Sequence, residues 1–69
     1  MNLELIQKRL REEIKNSGIS QKELAERIGV NPSTISKYMR INKFPALDTF
    51  AKICNVLDVS SNYLLGLED

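Results

Sequence analysis

The chain has 69 residues, 42% of them hydrophobic and 28% charged, and a formal net charge of +1. This length predicts one domain over residues 1–69, and a single cysteine without any histidine excludes an intramolecular disulfide and a Cys/His metal set. We therefore expect no enzyme activity, no cofactor and no metal. Charged residues follow the amino terminus closely and no long apolar run is present, so we expect a cytoplasmic protein without a membrane partner.

The charge is unevenly distributed. Residues 31–45 contain three basic residues and no acidic ones, whereas residues 46–69 contain one basic and four acidic residues. The middle of the chain is therefore a local basic patch. Such a patch indicates either a binding surface for an anionic partner or an ordinary solvated face.

The first helix is predicted from apolar residues that recur about one turn apart. Ile6, Leu10 and Ile14 follow Leu3 at this spacing, with polar residues between them. The pattern predicts an amphipathic helix from Leu3 to about Asn16, with Gly18 just beyond its end.

The second helix is predicted from a capping box, Ser20-Gln21-Lys22-Glu23. In this motif the Ser20 hydroxyl accepts from the Glu23 amide, and the Glu23 carboxylate returns to the Ser20 amide. Leu24, Ala25 and Ile28 form the buried stripe, and the helix ends before Gly29.

The third helix is predicted to begin after Asn31, which is a favoured cap, with Pro32 at its first position. It should reach about Arg40 and be followed by a loop over residues 41–45. Ile35 and Met39 should point inward, together with a half-buried Tyr38.

Two more helices complete the prediction. The fourth should bury one face made of Leu47, Phe50, Ala51, Cys54 and Leu57, with Cys54 acting as a small hydrophobic residue. The fifth is short, capped by Ser60 and ended by Gly66. No strand is predicted, so the fold class is all-α, with five short helices in one compact domain.

The second and third helices, separated by Gly29-Val30-Asn31, have the spacing of a helix-turn-helix over about residues 21–40. A simple αα-hairpin is the alternative interpretation. The residues on the outward face of the third helix distinguish the two interpretations. That face carries hydroxyls and cations without a carboxylate, which suits the major groove of DNA. It consists of Ser33, Thr34, Ser36, Lys37 and Arg40.

Phosphate contacts are predicted at both ends of this unit. Gln21 lies at the amino end of the second helix, where free amides and the helix dipole favour an anion. Arg40 ends the third helix, and Asn42 and Lys43 lie just beyond it, where all three can contact the flanking backbone.

The segment SQKELAERIGVNPSTISKY at residues 20–38 resembles the lambda-repressor-like, Cro-type helix-turn-helix family, also called the Xre family. The resemblance extends through Lys43-Phe44-Pro45 to LDVSSNYLLG at residues 57–66. It implies a compact five-helix DNA-binding domain. It also implies base reading by Pro32, Ser33 and Lys37, with Thr34 and Ser36 beside them, and phosphate contacts by Gln21 and Arg40.

The sequence departs from the family pattern in three places. Met39-Arg40-Ile41 stands where relatives carry a glycine stop, Pro32 replaces a polar base reader, and Ala46 replaces a Ser or Thr cap. Pro32 can therefore make only apolar contact, for example with a thymine methyl group.

Tyr63, Leu65 and Leu67 make the carboxyl end unusually apolar. They predict either an isologous dimer contact or core packing against Ile6 and Leu10.

Taken together, the sequence predicts a transcriptional regulator that reads double-stranded DNA. We expect it to be a repressor that binds a pseudo-palindromic operator as a homodimer, without a small-molecule ligand. The alternatives are the DNA-binding half of a longer regulator and a protein-interaction module such as an antitoxin or antirepressor component.

Overall fold

The computed structural model describes residues 2–68, and all of its regular structure is helical. The helices are α1 (Leu3–Asn16), α2 (Gln21–Ile28), α3 (Pro32–Arg40), α4 (Leu47–Leu57) and α5 (Ser61–Leu64). The predicted all-α, five-helix fold is confirmed for this range. The two end residues of the predicted 1–69 domain, Met1 and Asp69, lie outside the described residues. Within residues 2–68, no helix has the length and apolar character needed to cross a membrane.

Side-chain caps start three of the helices where the sequence predicts them. The Ser20 hydroxyl accepts from the Glu23 amide at 3.0 Å, and the Asn31 side-chain oxygen accepts from the Ser33 amide at 2.9 Å. Ser60 caps α5 in the same way. These bonds satisfy amides that have no partner inside the helix.

The second half of the predicted capping box is wrong. The Glu23 carboxylate forms an ion pair with Arg27, one turn along α2, at 2.5 Å instead of returning to the Ser20 amide. Both side chains are about half exposed. Because such pairs are well solvated, this one adds little to the stability of the fold.

The core lies between α1, α2, α3 and the inward faces of α4 and α5. Leu3, at the start of the predicted α1 stripe, is 56% exposed, whereas the other residues of the α1 and α2 stripes are buried, and so is Ile35 of α3. Tyr38 is buried more deeply than expected, with 3% of its surface exposed. Burial raises the pKa of the Tyr38 hydroxyl, and the Asp48 carboxylate raises it further. The buried residues of α1 and α2 are Ile6, Leu10, Ile14, Leu24, Ala25 and Ile28.

The predicted buried face of α4 is partly wrong. Leu47 is 83% exposed and Ala51 is also exposed, whereas Ile53, which the predicted stripe omitted, is fully buried beside Phe50. Cys54 and Leu57 are half-buried against the core. The inward face of α4 is therefore rotated from the predicted one. The helix begins after Ala46, which makes no side-chain capping bond.

Replacing Ile53 tests this corrected orientation of α4. We expect Ile53→Val to lower the free energy of unfolding by about 1 kcal/mol, because it removes a methylene group from a filled core. Leu47→Ala deletes more atoms but should change stability by less than about 0.5 kcal/mol, because Leu47 is exposed. Urea denaturation monitored by circular dichroism measures both. A larger loss for Leu47→Ala than for Ile53→Val would contradict the orientation.

Replacing Asn31 tests the cap of α3. We expect Asn31→Ala to destabilise the fold by about 1 kcal/mol, because the Ser33 amide loses its acceptor. Asn42→Ala, in the exposed loop after α3, is the matched control and should be close to neutral. Equal thermal denaturation midpoints for the two variants would show that the cap does not stabilise the helix.

Candidate nucleic-acid interface

The turn between α2 and α3 sets the geometry of the site. Gly29 ends α2 with φ 76° and ψ 33°, in the left-handed region that favours glycine. The Val30 amide then donates to the Ala25 carbonyl at 3.0 Å, and Asn31 caps the next helix. The chain therefore turns within three residues, and α3 packs against α2 with Ile35 and Tyr38 turned into the core.

The face of α3 opposite Ile35 and Tyr38 is open to solvent. Pro32, Ser33, Lys37 and Arg40 are exposed, whereas Thr34 and Ser36 are half-buried at the edges of this face. The structure therefore brings all the predicted base-reading residues together on one helix. We call the exposed and half-exposed surface of these six residues the reading face.

One hydrogen bond organises the carboxyl end of the reading face. The Arg40 Nε donates to the Ser36 hydroxyl oxygen at 3.0 Å, one turn earlier in α3. Ser36 keeps its own proton for donation to another acceptor. The guanidinium is therefore held along the helix, and Arg40 stays exposed to solvent.

Gln21 occupies the first position of α2 and is exposed. Ser20 satisfies the Glu23 amide, while the first amides of a helix have no partner within it. Gln21 thus lies where a polar side chain and backbone donors can share one anion.

The exit of α3 is held by a residue that the sequence prediction missed. Arg11 of α1 donates from Nε to the Tyr38 carbonyl at 2.8 Å and from Nη2 to the Ile41 carbonyl at 2.9 Å. Gln7, one turn earlier in α1, reaches the same Ile41 oxygen at 3.5 Å. No local pattern indicates these contacts, because Arg11 lies 27 and 30 residues from its partners.

The loop after α3 carries the other two predicted phosphate-binding residues. Asn42 and Lys43 are both exposed. The Lys43 amide donates to the Ile41 carbonyl at 2.8 Å, which tightens the chain directly after the helix. Ile41 itself is extended, with φ −129°, so α3 ends without a left-handed residue.

The carboxyl end packs on α1 more closely than the sequence indicates. The Arg9 guanidinium lies 4.2 Å from the centre of the Tyr63 ring and donates to the Tyr63 and Glu68 carbonyls. Leu65 lines an apolar groove of about 230 Å³, whereas Leu67 is 67% exposed. The other residues of this groove are Ile6, Leu10, Phe44, Pro45, Leu47 and Phe50.

Cys54 does not have the environment of a reactive thiol. It is half-buried against the core, and burial raises the pKa of the Cys54 thiol. A raised pKa leaves little thiolate at neutral pH, and the thiolate is the nucleophilic form. This chemistry fits a packing role.

The sequence of this helical region is similar to known proteins. A helix-turn-helix family model matches residues 8–64. The HTH-type transcriptional regulator ImmR of Bacillus subtilis (strain 168) is 39% identical over 62 residues, which cover 90% of this chain and 49% of ImmR. The uncharacterized HTH-type transcriptional regulator YobD of the same strain is 38% identical over 61 residues, covering 88% of this chain and 54% of YobD.

The chain spans about half the length of these two relatives. No solved structure gives a significant match. The family model nevertheless covers all of α2 to α5 and most of α1, including the turn at Gly29 and the whole reading face. The chain belongs to the Cro-type, Xre-like helix-turn-helix family, and its fold is the lambda-repressor-like fold.

Proposed function

We propose that this chain is a sequence-specific transcriptional regulator that binds double-stranded DNA. The observation that carries the proposal is the reading face of α3, which exposes hydroxyls and cations on a helix without an acidic residue. Such a helix fits the major groove, where Lys37 can donate to the acceptor edge of guanine. Ser33 and Thr34 can bond to several bases, and Pro32 can contact a thymine methyl group.

The phosphate contacts flank this helix in the proposed complex. Gln21 and the free amides at the start of α2 take one phosphate, and Arg40, Asn42 and Lys43 take the backbone at the other end. Three cations, Lys37, Arg40 and Lys43, stand in a segment without a carboxylate, so nothing in it repels the phosphates. The basic patch thus supports binding, and the side chains of α3 supply base discrimination.

We further propose that the chain binds a pseudo-palindromic operator as a homodimer and represses by excluding the polymerase in the cytoplasm. Half-sites would then lie about 10 to 10.5 base pairs apart, or a multiple of that. Several exposed apolar side chains support a second copy. Leu47 and Leu65 line the apolar groove, Leu47 and Leu67 are largely exposed, and Tyr63 is half-buried two residues before Leu65. A two-fold contact buries such a surface.

Two other functions differ from this proposal in measurable ways. A DNA-binding half of a longer regulator would use the same reading face, and the coverage of ImmR and YobD is compatible with it. A protein-interaction module, such as an antitoxin or antirepressor component, would use the apolar carboxyl end instead. It would be indifferent to changes in α3.

Selection of bound duplexes from a randomised DNA library tests the proposal. The salt concentration should be about 0.15 M, so that unspecific attraction to phosphate is screened. We expect an enriched motif with two-fold symmetry and half-sites about one helical turn apart. One enriched half-site would favour a monomeric module, and no enrichment would contradict DNA reading and favour the protein-interaction function.

Two substitutions separate base reading from phosphate binding. Lys37→Ala should weaken binding to the selected motif by about 1 to 3 kcal/mol and relax the base preference at one position, because a base contact is lost. Gln21→Ala should weaken binding to all duplexes more evenly, because phosphates carry no sequence information. Fluorescence anisotropy with matched and mismatched duplexes measures both. Equal, sequence-independent losses would remove Lys37 from the base-reading set.

A further inference from the structure

The carboxyl end of α3 lacks the usual way of ending a helix. The last carbonyls of a helix have no partner within it, and a glycine in the left-handed conformation normally turns the chain there. Here Ile41 follows Arg40 with an extended backbone. A side chain from another helix supplies the missing donors, because Arg11 of α1 bonds to the Tyr38 and Ile41 carbonyls.

The two bonds of Arg11 join three parts of the molecule. The Tyr38 carbonyl belongs to the last turn of α3, and the Ile41 carbonyl belongs to the loop. Because the guanidinium is planar, bonds from Nε and Nη2 fix the direction of both carbonyls at once. The Ile41 oxygen also accepts from the Lys43 amide at 2.8 Å. The carbonyl that Arg11 holds is therefore bonded to a residue of the proposed phosphate-binding loop.

We infer that Arg11 is a positioning residue for DNA binding. It holds the exit of α3 so that Arg40 stays on the reading face and Lys43 is presented beside it. The inference rests on the proposed function. Both hydrogen bonds that Arg11 donates within residues 2–68 go to backbone carbonyls, so its effect on DNA runs through the segment that it holds.

A double-mutant cycle tests this role with the whole 69-residue chain and the duplex selected from the library. Arg11→Met keeps the aliphatic stem but removes the donors, and it should weaken binding about tenfold. Lys43→Ala should also weaken binding. In the Lys43→Ala background, the effect of Arg11→Met should fall to about threefold or less, because the loop no longer carries the contact that Arg11 positions.

The cycle separates positioning from general stabilisation. Circular dichroism at the assay temperature gives the folded fraction of each variant. If Arg11 were only structural, Arg11→Met would weaken binding by the same factor in both backgrounds, and the inference would be wrong. A Lys43→Ala variant that binds like the original chain would also overturn it. Lys8→Met, at an exposed position of α1, removes one positive charge and should change affinity less than twofold.

Arg11→Lys keeps the charge and is the variant to use for the same test if Arg11→Met does not fold. A lysine cannot span both carbonyls, so we expect most of the loss of affinity to remain. Binding at the original affinity would show that the charge alone suffices, which contradicts the inference. If the unmodified chain selects no DNA at all, the proposed function fails, and this result is distinct from an additive cycle.

Discussion

The left-handed turn at Gly29 determines which side of α3 is buried and which side is exposed to solvent. With φ 76°, Gly29 ends α2 and turns the chain within a short segment, so that α3 packs against α2. Ile35 and Tyr38 then fill the space between the helices. Since one side of α3 is committed to this core, the opposite side is left to solvent. The chemistry of the reading face follows from that division.

Local signals in the sequence predict most of the fold. Each cap joins residues two or three positions apart, so Ser20, Asn31 and Ser60 predict the starts of their helices without any knowledge of the tertiary structure. The buried stripes of α1 and α2 can also be predicted from the sequence, because mostly polar residues lie between their apolar positions. In α4 apolar residues occur on several sides, so the spacing allows more than one inward face. Packing selects the one with Phe50 and Ile53.

The reading face could be predicted for the same local reason, since its residues share one helix whose inward side Ile35 defines. The end of α3 at Arg40 is predicted as well, but the contacts that hold this end are not. Without a glycine at position 41, no short-range pattern predicts how α3 ends, and the group that ends it comes from α1. Long-range side-chain to backbone bonds of this kind depend on the assembled fold, so they become visible only in the structure. The same holds for Arg9 over the Tyr63 ring.

The contacts of Arg9 also affect how α5 separates from the rest of the fold. A helix of four residues, such as α5, has almost no stability by itself in water. Here Leu64 is fully buried, and Arg9 binds the Tyr63 and Glu68 carbonyls from the middle of α1. Detaching α5 therefore breaks contacts with α1 and exposes Leu64 in a single event. The first and last helices, 54 residues apart along the chain at Arg9 and Tyr63, should form one cooperative unit whose backbone amides exchange with solvent together.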